Sequence, residues 1–356
     1  MSATEPGVDV VVVGGRIAGS LTAIRLATSG ARVRLLEAHT LPSDTLSTHF
    51  FRGDGLVRSL AETGVIDEVL ATGAPQLVCE YFALDEGPAA VGPAQDPGEL
   101  GYCLSVRRIA LDAILVRRAV ELGVDVRFGR RVAGLVREEG RVGGVVDDGG
   151  TSHHARVVVG ADGRRSTVAR LVEAADAERE PGARTMFYRY ARDWPQLPDG
   201  VGPQFSLVDN EFAYVFPSDA GLACVALSTP ADGYAAARRD PAEFFEDRLR
   251  AHPSIGPGAD VAAWVGGQFT GLPADSYLRA AGGPGWALVG DAGTGQDPWA
   301  GHGMDTAARQ AEAFASAFVA DPGTAESTYS AARDETTLDG YRFATQHAPN
   351  LRTMLG

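Results

Sequence analysis

The run Val10–Gly19, V-V-V-V-G-G-R-I-A-G, is where residue types and spacing first suggest chemistry. Four β-branched residues suit a buried parallel strand. A glycine turn follows and opens an apolar helix through Ile17, Ala18, Leu21, Ile24 and Leu26. Free backbone N–H groups at such a turn and the positive end of the helix dipole bind phosphate, and the pattern points to the pyrophosphate of a dinucleotide. Glu37 closes the next short strand, V-R-L-L-E, 18 residues past Gly19. A carboxylate there is placed to accept both hydroxyls of a ribose. In G-x-G-x-x-G spacing the middle glycine falls on Arg16. Either the diphosphate is held further off, or Arg16 reaches a phosphate itself, or its side chain points to solvent.

Other residues are candidates by type. Arg107 and Arg108 open an amphipathic helix, V-R-R-I-A-L-D-A-I-L-V-R-R-A-V-E-L-G. Cations oppose the dipole at a helix start, so an anion beside them, such as phosphate, would explain the pair; the plainer reading is a solvated helix start. His49 is the one group titrating near neutral pH in a hydroxyl-rich loop, Leu41–Gly53. It is either a hydrogen-bonded structural residue, a catalytic group or a tether for a cofactor. No Ser-His-Asp or Cys-His signature for a protein nucleophile stands out. The three cysteines (Cys79, Cys103, Cys224) are far apart and odd in number, which fits reduced thiols and no metal site.

Positioning these groups takes a sizeable core. The chain has 356 residues, 45% apolar and 22% charged, which suits two interleaved domains. The net charge of −14 argues against nucleic acid and anionic membrane surfaces as partners. No apolar run is long enough for a membrane span, and M-S-A-T-E-P-G lacks the features of a secretory signal, so a cytoplasmic location is expected. The expected fold is α/β, α+β overall: a Rossmann-like parallel-sheet domain plus an antiparallel-sheet substrate domain. The first is expected from residues 1–75, 106–170 and 276–320, the second from 76–105 and 171–275, with a C-terminal helix in 321–356. The spacing predicts one helix from Gly55 to about Ala71 and strands over Leu77–Leu84, Leu100–Val106, Met186–Ala191, Gln204–Val208, Phe212–Phe216 and Leu222–Leu227. Aromatics crowd this last region, and one face of such a sheet can wall a pocket for a flat or greasy molecule.

Three separated motifs agree with one another: Gly14–Gly19 with Glu37, then G-A-D-G-R-R-S (Gly160–Ser166), then G-D-A (Gly290–Ala292) with Pro298, Gly301 and Gly303. Their order resembles the FAD-dependent monooxygenases of the aromatic-hydroxylase type, with their geranylgeranyl-reductase-like and halogenase-like branches. The resemblance implies FAD as cofactor and NAD(P)H as transient reductant. It implies that Gly14, Gly15, Arg16, Ile17, Ala18 and Gly19 wrap the FAD diphosphate. Glu37 would hold the adenosine ribose, Ala38 would lie beside the adenine and Val132 would offer its backbone to it. Arg107 or Arg108 would bridge to the diphosphate, Arg108 being favoured by its Arg-x-x-Leu spacing to Leu111. Asp162 and Gly163 would meet FAD and passing NAD(P)H, and Asp291 the ribityl hydroxyls. Pro298, Gly301, His302, Gly303 and Met304 would lie along the isoalloxazine, where a helix N-terminus stabilises the negative charge of the reduced ring.

Departures qualify the likeness. Gly293-Thr294 stands where hydroxylases carry Ala-His after G-D-A, and no W-x-W-x-I run supports halogenation. No second glycine-rich motif provides a resident NAD(P)H domain. The implied activity is hydroxylation or epoxidation of a small aromatic or polyene/polyketide-like molecule in natural-product tailoring. The alternatives are flavin-dependent double-bond reduction and a non-redox cyclase or isomerase on the same fold.

Overall fold

The computed structural model describes residues 4–47, 49–94, 101–195 and 202–355. The predicted corner forms as a strand, Thr4–Val13, a glycine turn and a helix, Ile17–Thr28. Val10, Val11 and Val12 are fully buried. In parallel register Val10 pairs with Val33 and Val157, and Val13 with Leu36 and Gly160. Asp125–Phe128 adds beyond Val33–Glu37, and Trp286–Leu288 beyond Ser152–Gly160, both parallel. The hairpin Val132–Glu138/Arg141–Asp147 pairs antiparallel onto Ser152–His154. The parallel strands therefore end together, and the glycine turn, Asp162 and the G-D-A turn all follow their C-terminal ends. That edge is where open α/β sheets bind ligands.

A second, seven-stranded sheet runs Ala263–Gly271, Arg184–Arg192, Ala223–Pro230, Glu211–Pro217, Gln204–Val208, Cys79–Leu84, Ala90–Pro93. The expected antiparallel sheet contains one parallel pair, Gln204–Leu207 beside Tyr81–Leu84. Strand alternation separates its side chains. Tyr188, Tyr190, Phe212, Tyr214 and Phe216 share one buried cluster; Phe187, Ala213, Val215, Val225 and Leu227 share another with Phe245 and Leu249 of the helix Pro241–Arg250. One face is thus covered by a helix, and the aromatic face turns inward.

Several local expectations are corrected. The single helix from Gly55 to Ala71 is a π turn, Gly53–Val57, then two short helices, Arg58–Glu62 and Ile66–Leu70. The π turn sits where backbone N–H groups turn to the Asp305 carboxylate: Leu56 donates at 2.8 Å and Arg52 at 3.2 Å. Gly64, at φ +75°, separates the two helices. The strand expected over Leu100–Val106 reduces to Leu104–Ser105, paired with Phe50–Phe51, and Leu100 lies outside the described residues. Asp176–Glu180, not foreseen as a strand, joins Ser276–Arg279 and Thr294–Gly295 in a three-stranded sheet. The last two helices, Gly303–Ala320 and Ala325–His347, pack on each other beside the first helix.

Candidate active site

The three motifs meet in space. Gly14 (φ +103°) lies so close to the Ala161 carbonyl that a Cβ would collide with it, and that Cβ would stand 3.0 Å from the Asp162 Cα. A Cβ on Gly19 would strike the Gly14 carbonyl, and one on Gly290 would stand 2.9 Å from the Ala18 Cβ. Glycine is needed at these positions by close backbone approach. Tyr277 ties the second motif to the third, its hydroxyl donating to the Asp291 carbonyl at 2.6 Å and the Arg164 carbonyl at 3.2 Å.

Arg16 does not simply point to solvent. Its backbone is extended (φ −94°), so its conformation does not call for glycine. Its guanidinium turns aside to the Asp112 carboxylate at 2.7 Å and the Ser43 hydroxyl at 3.0 Å. Asp112 is fully buried and also accepts from Arg108 Nε and Nη2 at 3.0 and 3.1 Å. Two guanidiniums share one carboxylate beside the glycine turn, leaving a net positive charge there. Arg107 is held separately: its backbone N–H and Nε donate to Asp219, both at 2.9 Å. The anion inferred beside this arginine pair is present as two protein carboxylates, which sequence reading did not assign. Asp112 was legible as the i+4 partner of Arg108; Asp219 carried no local signal.

Glu37 is 5% exposed. One carboxylate oxygen accepts from Gly15 N–H at 2.7 Å and the other from His39 N–H at 2.8 Å. Ala38 follows, and the Glu37 carbonyl accepts from Arg130 N–H, which brings the buried Val132 strand alongside. Asp162 caps the helix Thr167–Leu171 through Ser166 Oγ at 2.5 Å and Thr167 N–H at 2.7 Å, while burial raises its pKa. Gly163 (φ +75°) faces open space. Asp291 differs from all these acids. Its carboxylate accepts no hydrogen bond from the described residues, and burial raises its pKa.

The fourth wall is the loop before the Gly303–Ala320 helix. Asp297 caps Trp299 N–H at 3.2 Å and is pushed up to about 6, by burial. Gly301 takes the left-handed conformation (φ +71°) and Gly303 faces open space. The helix has no side-chain cap among the described residues, so its first N–H groups have no intrahelical or side-chain partner there. Ser47 of the hydroxyl-rich loop donates to the Met304 sulfur at 3.8 Å.

His49 lies deeper than expected. It is fully buried at φ +61°, with Nε2 2.6 Å from the Tyr190 hydroxyl. Burial, then the Arg108 charge, lowers its pKa to about 3, so it is neutral at ordinary pH. The neighbouring Phe50 lines a cavity of about 190 Å³; His49 does not. The cavity runs between the aromatic face of the seven-stranded sheet (Phe82, Phe205, Phe212, Phe216) and the loop Pro298–His302.

The residues present fit FAD. The uncapped glycine-turn helix offers N–H groups to a diphosphate, the Arg16–Asp112–Arg108 cluster adds positive charge, Glu37 is fixed as an acceptor, and the Asp291 carboxylate is unspent. Comparison with known proteins agrees. The family of the FAD binding domain matches residues 7–254, and the chain belongs to the FAD-dependent monooxygenase family. Rifampicin monooxygenase of Rhodococcus hoagii is 34% identical over 164 residues, which are 45% of this chain and 32% of that one. The matched region thus spans about a third of the length of such relatives. Digeranylgeranylglycerophospholipid reductase 1 of Methanococcoides burtonii is 28% identical over 84% of this chain and 71% of that one. Among solved structures, the myxobacterial chondrochloren halogenase CndH superposes with a TM-score of 0.83 at 22% identity, covering 95% of this chain and 82% of that one. PqsL of Pseudomonas aeruginosa, described as a probable FAD-dependent monooxygenase, does so at 0.76 and 21%, covering 98% and 96%. At these identities the likeness is one of fold.

Proposed function

We propose that the protein is an NAD(P)H-driven FAD monooxygenase that hydroxylates or epoxidises a small, flat, apolar molecule, aromatic or polyene/polyketide-like, in natural-product tailoring. One observation carries this reading: the loop Pro298–His302 lines the aromatic cavity and leads directly into the uncapped helix at Gly303. A molecule in the cavity would then lie against the reactive edge of the cofactor. When bound and reduced, FAD supplies the activation of O₂ for transfer of one oxygen atom.

This chain's residues do the rest. The N–H groups of Ile17, Ala18 and Gly19 would hold the diphosphate, with Gly14 and Gly15 setting the turn and Arg108 acting through the charge it shares with Arg16 over Asp112. Glu37 would hold the adenosine ribose and Asp291 the ribityl chain. Gly303 and Met304 would present the helix N-terminus to the pyrimidine side of the ring. Gly163, open beside Asp162, leaves room for the nicotinamide donor. His49, neutral and bonded to Tyr190, would fix the loop that carries Ser47 over Met304 and would transfer no proton. The aromatic face would hold substrate in a site poor in water.

The visible spectrum of the purified protein, followed by anaerobic NADPH titration and then air, tests the proposal. A yellow protein that bleaches, recovers in air and turns over faster with a flat substrate is expected. No NAD(P)H oxidation with FAD and any candidate substrate would sink it. A second reading, flavin-dependent double-bond reduction, is favoured by the long match to the archaeal reductase. It requires turnover that persists without O₂, whereas oxygenation stops.

A further inference from the structure

Of the cations around the site, Arg52 is used differently. Arg16 and Arg108 are bound to Asp112 and Arg107 to Asp219. Arg184 donates to Ser228, Asn210 and the Ala348 carbonyl. The Arg52 guanidinium makes no hydrogen bond or ion pair among the described residues, yet it lines the aromatic cavity. It lies 5.2 Å from the centre of the Phe50 ring. A guanidinium against an aromatic ring keeps in-plane N–H donors for a planar anion.

The groups facing it do not neutralise it by contact. Asp305, the nearby buried acid, accepts from the backbone N–H groups of Arg52 and Leu56. Glu80, the cavity's acid, is already engaged. His302 lines the same cavity, its buried Nδ1 beside the Gly340 backbone and without a side-chain partner among the described residues, and burial, then the Arg52 charge, lowers its pKa to about 4. It stays neutral and adds a second polar atom without a second charge. The remaining walls are rings in ordered pairs: Phe205 and Phe212 are stacked at 5.7 Å and 7°, Phe50 and Phe216 at 4.7 Å and 15°. Partly buried cations call for an anionic partner, and apolar pockets orient their ligands with a few convergent polar groups.

We infer that Arg52 anchors the carboxylate of a small aromatic acid, whose ring lies between the aromatic sheet and the Pro298–His302 loop. This rests on the cavity being the substrate site and names the substrate class.

The test reads binding, so it is separate from turnover. The FAD-loaded wild type, Arg52→Gln and Arg52→Lys are titrated with benzoate, 2-naphthoate and the two corresponding amides, by calorimetry and the flavin difference spectrum. The wild type is expected to prefer at least one acid over its amide by about ten- to a hundredfold, the range for a charge-assisted hydrogen bond. Arg52→Gln should abolish the preference while leaving amide binding and FAD content unchanged; Arg52→Lys should keep part of it. Because the backbone of Arg52, not its side chain, holds Asp305, both variants should melt near wild type. Equal binding of acid and amide, no binding of any probe at millimolar concentration, or loss of FAD from Arg52→Gln with the preference intact would each overturn the inference. Selective binding without any NAD(P)H oxidation would instead support the anchor and remove the monooxygenase reading.

Discussion

The cofactor cradle and the aromatic cavity are built by opposite means. The cradle is made of backbone: glycines that permit close approach, strand ends that converge, and helix N–H groups that no described side chain caps. The cavity is made of side chains, which alternate on strands drawn from distant parts of the chain. A backbone site tolerates changes in side chains that merely flank it and fails when a Cβ intrudes. A side-chain site behaves the other way, because its backbone is ordinary sheet.

The largest expected effect is in the cradle. Gly19→Val forces side-chain atoms against the Gly14 carbonyl, and overpacking of this kind costs about 3 kcal/mol or more. The purified variant should hold no flavin, if it is soluble at all; a yellow, stable Gly19→Val protein would break the comparison. Asp112→Ala comes next. It leaves two guanidiniums without their buried carboxylate, a loss of about 3–5 kcal/mol, read as the shift in a denaturant unfolding curve.

Asp291→Asn sharpens the contrast between holding the cofactor and holding the fold. Its carboxylate accepts no hydrogen bond from the described residues and burial raises its pKa, so its ionised form costs the folded state and its removal should not lower the apoprotein's melting temperature. FAD affinity should fall by about 1.5–3 kcal/mol, as for a hydrogen bond to a charged group, measured by flavin fluorescence titration. In the cavity, Phe212→Leu should leave FAD affinity within error and shift substrate affinity, at a stability cost of about 1 kcal/mol. Equal losses in both titrations would mean that the two regions are not separate in function.

The smallest effect concerns pH. His252, behind the aromatic sheet, is bonded to Ser206 Oγ at 2.9 Å and lowered to about 4 by burial. A histidine with a depressed pKa stabilises the fold above its ordinary value of about 6.5 and loses that contribution as pH falls toward 4. His252→Gln should therefore flatten the melting curve's acid limb between pH 6.5 and 4. Asp297 and Asp305, each pushed up to about 6, act in the opposite sense: their contribution is lost as pH rises through 6. Unchanged slope in His252→Gln would show that the histidine is not sealed.

The sequence by itself determined the backbone site. Val10–Val13, Gly14, Gly19, Glu37 and the later glycine motifs are local patterns whose spacing fixes strand, turn and helix, and no partner is needed to read them. It also carried the aromatic alternation of Phe212, Tyr214 and Phe216. Tertiary structure decided which charges met. Arg16 was set beside Asp112, 96 residues away, and Arg107 beside Asp219, 112 away. It buried His49 against Tyr190, folded the expected Gly55–Ala71 helix around Asp305, and set the Arg52 guanidinium over the Phe50 ring with no hydrogen bond or ion pair among the described residues. Periodicity reports on neighbours along the chain, whereas the pairing of a buried charge is fixed only when distant segments pack and water is excluded.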